Sequence, residues 1–334
     1  MRFSLTSQTS TDGVTEQSFT LGEITGVLFA PQGATGPRPL ILMGHGGGQH
    51  KKAPGVLAGA HRFAAEGGFA VAAIDAPNHG DRPKDEQFIQ FVDDMRARMA
   101  AGEDPTGLVA AMHDLLAGQA VADWQAVLTA VQELDHVGAG PVGYWGVSMG
   151  CGLGMPLLAA DSRIRAAVLG LLGVHGLAAP AARVTVPVQF LLQWDDTRVP
   201  RAQALALFDA LGSTDKTLHA NPGDHGGIPA FEIDNALRFF ARHLGCSSPG
   251  TLDVLRPAPW IRPPPCSSRR AGRGPFPAGA FEPDCSAWRA GADAGDRARR
   301  GARRGGGRER ATPAISVHME AGPARRRPRP RRAR

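Results

Sequence analysis

The chain has 334 residues and a formal net charge of +6, from 37 Lys+Arg against 31 Asp+Glu. That charge is unevenly placed: residues 1–245 carry 17 basic and 24 acidic residues, a net of −7, whereas residues 246–334 carry 20 Arg, no Lys and 7 acids, a net of +13. The basic balance therefore belongs to the C-terminal segment and is no argument that the body binds a polyanion.

Cys151 lies in the body, and Cys246, Cys266 and Cys285 lie in or beside the basic segment. No C-x-x-C pair and no His/Cys cluster with zinc spacing occurs, so neither a metal site nor a disulfide framework is expected. The first residues, Met1 to Gln8, lack the apolar core of a signal peptide. The most apolar run, Ala166 to Ala182, is broken by Gly170, Gly173, His175, Gly176 and Pro180, as in a buried strand followed by a loop rather than a membrane span. A cytoplasmic protein without membrane association is expected.

In chain order, Phe19 to Phe29 alternates around Gly22 and predicts an opening hairpin. Pro39 to Met43 is an apolar run ending in glycines, as a buried strand would. Pro54–Glu66 predicts a helix, with proline suited to its first turn and Gly67-Gly68 closing it. Phe69–Ile74 predicts the next strand. From Arg82 to Leu134 the pattern is helical, a 53-residue insertion that could form a small cap. Phe88, Phe91, Val92, Met95 and Met99 make one helical stripe there, and Trp124, Val127, Leu128 and Val131 another; such stripes mark core or cap packing rather than a cofactor site. Further strands are expected at Pro141–Val147, Ala166–Leu171, Pro187–Gln193 and Lys216–Ala220. A last helix over Pro229–Leu244 should present Phe231, Leu237, Phe239 and Phe240 to a core. This alternation predicts a doubly wound α/β fold with a mainly parallel sheet covered on both faces, occupying residues 1–245.

Beyond Gly245 no apolar periodicity remains. Pro263-Pro264-Pro265, Arg-Gly-Ala runs and Arg325-Arg326-Arg327 cannot bury enough surface to offset ordering entropy, and residues 246–334 read as a disordered, Arg-rich tail. Arg without Lys, beside Ala, Gly and Pro, is what GC-rich DNA encodes in an arbitrary frame, which favours a frameshifted or read-through extension. A basic arm for nucleic acid is the alternative.

Gly146-Val147-Ser148-Met149-Gly150 carries the chemistry. Alone, Gly-x-Ser-x-Gly says little in a chain with 43 glycines. Here Val142–Trp145 reads as a strand running into it, and Cys151–Leu158 can begin a helix just after it. A sharp strand-to-helix turn strains its central residue, and flanking glycines relieve the crowding. The helix N-terminus then offers a positive field where an oxyanion develops. The competing reading is a serine that merely caps the helix. An acid and a base follow in the order this elbow requires. Trp194-Asp195-Asp196-Thr197 comes after one strand, and Pro222-Gly223-Asp224-His225-Gly226 comes after the next. His225 would take the Ser148 proton and Asp196 or Asp195 would orient the imidazole. His219 falls inside a strand and reads as a packed residue.

These residues resemble the α/β-hydrolase superfamily, most closely its dienelactone-hydrolase-like and small serine esterase branches, across residues 15–245. Members often carry the acid in Gly-x-x-Asp-x-x-Val-Pro. Matching Val199-Pro200 implies Asp196, although Gln193 stands where glycine is usual, and Asp195 stays open. His225 matches the family's Pro-Gly-x-His loop. The resemblance implies an oxyanion hole from the Met149 N–H and the Gly44-His45-Gly46-Gly47-Gly48 loop, with Gly47 as first choice and Gly46 or Gly48 as alternatives. His45 itself is read as structural. Lys51 and Lys52 lack the Ser/Thr of a phosphate loop, and no dinucleotide fingerprint is present, so no cofactor is expected. Asp75–Arg82 resembles the family's loop after the neighbouring strand, with a shaping role and His79 as an optional substrate contact. Serine at the elbow separates the chain from superfamily members with an aspartate nucleophile, and from dienelactone hydrolase proper with its cysteine. Cys151, three residues on, should point along the helix.

Only about 15 residues separate the strands at Ala166 and Pro187, too few for a large cap there. The insertion at 82–134 becomes the roof, with Phe88, Phe91 and Met95 as substrate-binding residues and Met99 beside them. The expectation is a hydrolase of small to medium acyl esters, with a small-molecule ester as its substrate; the basic tail is the only pointer to nucleic acid, and the oligomeric state stays open. Thioesterase, acyltransferase and peptidase activities share the triad, and a non-catalytic ligand-binding member of the fold is the remaining alternative.

Overall fold

A computed structural model describes residues 2–245. The readings of residues 246–334, and of Cys246, Cys266 and Cys285, lie outside the described residues.

Among the described residues, nine strands form one sheet: β1 (Phe3–Thr11), β2 (Val14–Leu21), β3 (Ile24–Pro31), β4 (Leu40–Gly44), β5 (Ala70–Ile74), β6 (Val142–Val147), β7 (Ile164–Gly170), β8 (Val188–Gln193) and β9 (Lys216–Asn221). Their spatial order is β1-β2-β3-β5-β4-β6-β7-β8-β9. The first three strands and β5 pair antiparallel, whereas β5, β4, β6, β7, β8 and β9 run parallel. The expected mainly parallel, doubly wound sheet is therefore present. The hairpin around Gly22 is β2–β3; β1 is an additional strand, and its Ser/Thr/Gln-rich sequence carries no apolar alternation.

Among the described residues, seven helices cover the sheet: α1 (Pro54–Ala65), α2 (Glu86–Ala100), α3 (Thr106–Gln132), α4 (Met149–Ala160), α5 (Ala178–Ala182), α6 (Arg201–Ala210) and α7 (Phe231–Leu244). Strand side chains alternate between two cores. Leu40 and Leu42 join Trp124, Val127, Met155 and Leu207 on the α3, α4 and α6 face. Ile41 and Met43 join Phe63 and Phe240 on the α1 and α7 face. Because β4 to β8 are buried on both faces, their sequences are mainly apolar, with Arg165 of β7 and Gln189 and Gln193 of β8 as exceptions. Each fully buried large side chain contributes about 1.5–3 kcal/mol. Phe240 is such a residue and Leu237 and Phe239 are partly buried, but Phe231, the first residue of α7, is 53% exposed and does not join the core.

The insertion folds as α2 and α3. Asp85 caps α2 by accepting the Phe88 N–H at 2.6 Å. The C-terminal half of α3 packs into the core through Trp124, Val127, Leu128 and Val131, as its stripe predicts. Phe88 joins Met112, Leu116, Met149 and Leu153 in a third apolar cluster, which ties α2 to the start of α4.

The register places the loops of interest. Gly44 pairs with Gly146, so the loop after β4 and the turn after β6 leave the sheet side by side. Gln193 pairs with Asn221, and the loops carrying Asp196 and His225 leave it as neighbours. All four lie at the C-terminal edge of the parallel strands, where open α/β sheets bind ligands.

Candidate active site

Ser148 sits between β6 and α4 with φ 56° and ψ −125°, a conformation that costs a non-glycine residue about 1–3 kcal/mol. The turn is tight enough that a Cβ at Gly146 would stand 2.5 Å from the Gly150 carbonyl oxygen, and one at Gly150 would stand 3.0 Å from that of Gly44. Gly146 therefore leaves no room for a side chain, and Gly150 is tightly confined. The Ser148 N–H donates to Gly170 O at 2.9 Å, and the buried Tyr144 hydroxyl donates to Gly150 O at 2.7 Å, pinning both sides of the turn. The Ser148 side chain makes no capping bond to α4. Its Oγ instead lies 3.0 Å from His225 Nε2.

On the far side of that imidazole, Nδ1 is 2.7 Å from Asp196 Oδ2. The other carboxylate oxygen of Asp196 accepts the N–H groups of Arg198 and Val199 at 2.8 and 2.9 Å. This fixes the tautomer: Nδ1 carries the proton toward Asp196, and Nε2 is bare toward the serine. Asp195 points elsewhere and accepts the Gly223 N–H at 3.0 Å. The structure thus brings Asp196, not Asp195, to His225. His219 stands in β9 with Nδ1 2.8 Å from the buried Glu232 carboxylate, in a polar cluster with Asn221, away from the serine.

Gly47 faces the start of α4: an added Cβ there would be 3.9 Å from Met149 Cβ. The Met149 N–H opens the helix, where no intrahelical acceptor exists. The loop bearing Gly47 is held from behind by His45. Its Nε2 accepts the Ala76 N–H at 3.0 Å and its Nδ1–H donates to Gly46 O at 2.8 Å. Burial pushes the His45 pKa down to about 4, so the ring stays neutral in this role. Asp75 closes the same region. Its buried carboxylate accepts the Lys51 N–H at 2.8 Å, the Lys51 ammonium at 2.6 Å, the Thr25 hydroxyl at 2.7 Å and the Asp81 N–H at 3.0 Å. His79 is buried, donates to Pro77 O at 2.8 Å and packs against His45 and Phe88. A buried ion pair between Arg82 and Asp123 joins this loop to α3.

A cavity of about 1010 Å³ opens above these groups. Ser148, Met149 and His225 lie in its wall with Gly47, His79, Phe88, Met95 and Met99. Phe91 is not part of this wall and is a correction to the sequence reading. At about 100° per residue, Phe88, Val92, Met95 and Met99 share one face of α2, while Phe91 is turned past its edge. It packs instead against the Phe88–Met112 cluster. Cys151 is fully buried in the α3–α4 core, where desolvation pushes its thiol up to about 12 and leaves it no access to the cavity. Among the described residues, no group of His, Cys, Asp and Glu has the arrangement to hold a metal ion. No helix among them is long and apolar enough to cross a membrane.

This chain is similar to a cold-adapted esterase from an Arctic intertidal metagenomic library, solved as a polyethylene glycol complex, at 34% identity and a TM-score of 0.57, covering 71% of this chain and 97% of that one. The native structure of a cold-adapted esterase from such a library matches at 30% identity and a TM-score of 0.54, covering 72% and 99%. The chain belongs to the α/β-hydrolase esterases. A likeness in fold alone extends to acetyl xylan esterase 1 from Thermoanaerobacterium sp. JW/SL YS485, at 15% identity and a TM-score of 0.54 over 72% of this chain and 87% of that one. No protein-family model matches the sequence. No curated protein matches it either.

Within this esterase fold, sequence reasoning missed the residues that join loops. Asp224 accepts both the backbone N–H and the hydroxyl of Thr197. The Gln193 amide donates to Pro222 O and Asp224 O at 3.4 Å each, so the residue standing where glycine is usual braces the His225 loop. The one signal for either was that departure from the family pattern.

Proposed function

We propose that the protein is a serine carboxylic ester hydrolase for small to medium acyl esters, acting through Ser148, His225 and Asp196. The observation that carries this reading is the continuous chain Ser148 Oγ–His225 Nε2–His225 Nδ1–Asp196 Oδ2, with steps of 3.0 and 2.7 Å across the ring. His225 Nε2 takes the hydroxyl proton as Ser148 Oγ attacks the ester carbonyl carbon. The resulting oxyanion is held by the N–H groups of Gly47 and Met149, which need to lie about 3 Å from it. Collapse breaks the bond to the alcohol oxygen, which leaves with the proton from His225, and the acyl group stays on Ser148. Water attacks that acyl-enzyme with His225 again as base, and the acid departs. Asp196 holds the imidazole tautomer and stabilises its cationic form.

Phe88 and Met95 form an apolar roof over the nucleophile, which suits short and medium acyl chains. Thioester cleavage, acyl transfer and peptidolysis use the same triad; ester hydrolysis is preferred because the similar solved proteins are esterases. The reading makes residues 1–245 the catalytic domain of a cytoplasmic protein, and gives residues 246–334 no part in catalysis. A chain ending at Gly245 should then retain activity. The test of function is hydrolysis of p-nitrophenyl esters of graded acyl length by the full chain and by Ser148→Ala. Turnover should favour short chains and vanish in the variant. Unchanged turnover in Ser148→Ala would contradict the mechanism, and preference for long-chain triglycerides would contradict the substrate class.

A further inference from the structure

The loop that carries His225, residues 222–230, leaves β9 at Asn221 and enters α7 at Phe231. It is rich in glycine, with Gly223 at φ 107° and Gly226-Gly227 directly after the base, so its own backbone does little to fix the imidazole. Gln193 and Asp224 tie its first half to the end of β8 and to the acid loop. Its second half meets the rest of the domain through Ile228, which packs against the α1 and α7 core, and through the first turn of α7.

That turn holds Glu232, a buried carboxylate that the mechanism does not use. Its Oε1 accepts the Asn221 side-chain amide at 3.0 Å. Its Oε2 accepts His219 Nδ1–H at 2.8 Å, the Asn235 amide at 3.0 Å and the Gln189 amide at 3.4 Å. Asn221 is the last residue before the loop and Glu232 the second after it, so the bond between them closes the loop at its base. His219 of β9 and Gln189 of β8 fasten the same carboxylate to the sheet. Burial acts to raise the Glu232 pKa, but the hydrogen bonds from Asn235, His219 and Asn221 outweigh it and the net shift is downward, so the group stays ionised. Burying charge is often no more stabilising than filling the same volume with an apolar side chain. What several directional bonds add is a fixed position for the loop's exit.

We propose that Glu232 is a positioning residue for His225: by clamping both ends of the His225 loop to β8 and β9, it holds Nε2 within reach of Ser148 Oγ and Nδ1 against Asp196. The inference rests on the ester-hydrolase reading and adds to it a residue that touches neither substrate nor the reacting atoms. Asp224 and Thr197 hold the tip of the loop; Glu232 holds its base. Ser148 and Asp196 stand on other loops, so drift of the His225 loop alters the 3.0 and 2.7 Å steps on which proton transfer depends. The effect belongs to turnover rather than to substrate binding, because much of the cavity wall comes from α2 and α3.

The full chain and its Glu232→Leu, Glu232→Gln and Asn221→Ala variants are compared on p-nitrophenyl butyrate. Competent sites are counted by the burst of p-nitrophenol released when p-nitrophenyl diethyl phosphate reacts with the nucleophile. Glu232→Leu keeps the volume and removes the bonds, and kcat per titrated site should fall about tenfold with KM held within about twofold. Asn221→Ala, which takes away only the bond between the two ends of the loop, should lose nearly as much, and it decides the matter by the same readout if Glu232→Leu does not fold. Glu232→Gln should recover most of the rate, because the Asn221 amide can turn over and offer its carbonyl to the new amide nitrogen. Fewer titrated sites with native kcat per site would mean that Glu232 serves the fold alone, and would overturn the proposal; so would a loss confined to KM. Either result leaves ester hydrolysis intact. A native chain with no Ser148-dependent burst or turnover would overturn the parent reading and the positioning role with it.

Discussion

Asp224 and Thr197 bind each other twice across the mouth of the site: Asp224 Oδ1 accepts the Thr197 N–H at 2.8 Å and its hydroxyl at 2.9 Å. Asp224 immediately precedes His225, and Thr197 immediately follows Asp196. The loop with the base and the loop with the acid are therefore clamped to each other one residue away from the groups they position. Donation from the Thr197 and His225 backbone N–H groups and the Thr197 hydroxyl holds the Asp224 pKa down at about 2, so the clamp stays charged at every working pH.

Loosening that clamp should cost rate more than affinity. Asp224→Ala removes both bonds without touching the triad atoms, and kcat is expected to fall about tenfold, since small misplacements of a catalytic pair cost up to about a hundredfold. KM should change less. Asp224→Asn, which keeps an acceptor oxygen, should recover part of the loss. Steady-state kinetics on p-nitrophenyl butyrate read the split; a change confined to KM would contradict the positioning role.

The two adjacent aspartates should separate sharply. Asp196→Asn leaves His225 Nδ1 facing an amide that can present the wrong partner, and kcat should drop by about a thousandfold or more. Asp195→Asn disturbs only the bond to the Gly223 N–H and should stay within about tenfold of native. Comparable losses in the two variants would remove Asp196 as the orienting acid.

How much of this was legible beforehand follows from where each signal resides. Strands β4 to β8 announced themselves because burial on both faces demands mainly apolar sequences. Strand β1 did not: it is an edge strand with mostly exposed side chains, and its identity comes from pairing with β2. Ser148 and His225 sit in local motifs whose geometry the chain itself dictates. Choosing between Asp195 and Asp196 depends on which way a turn sends two neighbouring side chains, a property set by the Arg198 and Val199 N–H groups. Phe91 shares the helical stripe of Phe88 and Met95, but the cavity takes the other flank of α2, through Ile89, Asp93 and Arg96. The Asp224–Thr197 clamp had no motif of its own in the sequence, since it arises only when two distant loops meet.

Acid should weaken the fold through its buried histidines. His45 and His113 both have pKa values lowered from 6.5 to about 4 by burial, so the unfolded chain binds more protons in that interval. Their contribution is fully present above pH 6.5 and is lost as the pH falls toward 4. Each group adds a slope of up to about 1.4 kcal/mol per pH unit within that window. Urea unfolding at a series of pH values should show the decline, and His113→Asn should flatten it. A native stability independent of pH through this range would contradict the buried, neutral assignment.

The central claim is that an acyl group passes through Ser148, and intact-protein mass spectrometry tests it most directly. The full chain is treated with p-nitrophenyl diethyl phosphate, which phosphorylates an activated serine and releases p-nitrophenol. The account predicts a single added diethylphosphoryl group, loss of esterase activity in parallel, and localisation of the group to the peptide containing Ser148, with no labelling of Ser148→Ala. Labelling at another residue, or inactivation without modification of Ser148, would contradict it.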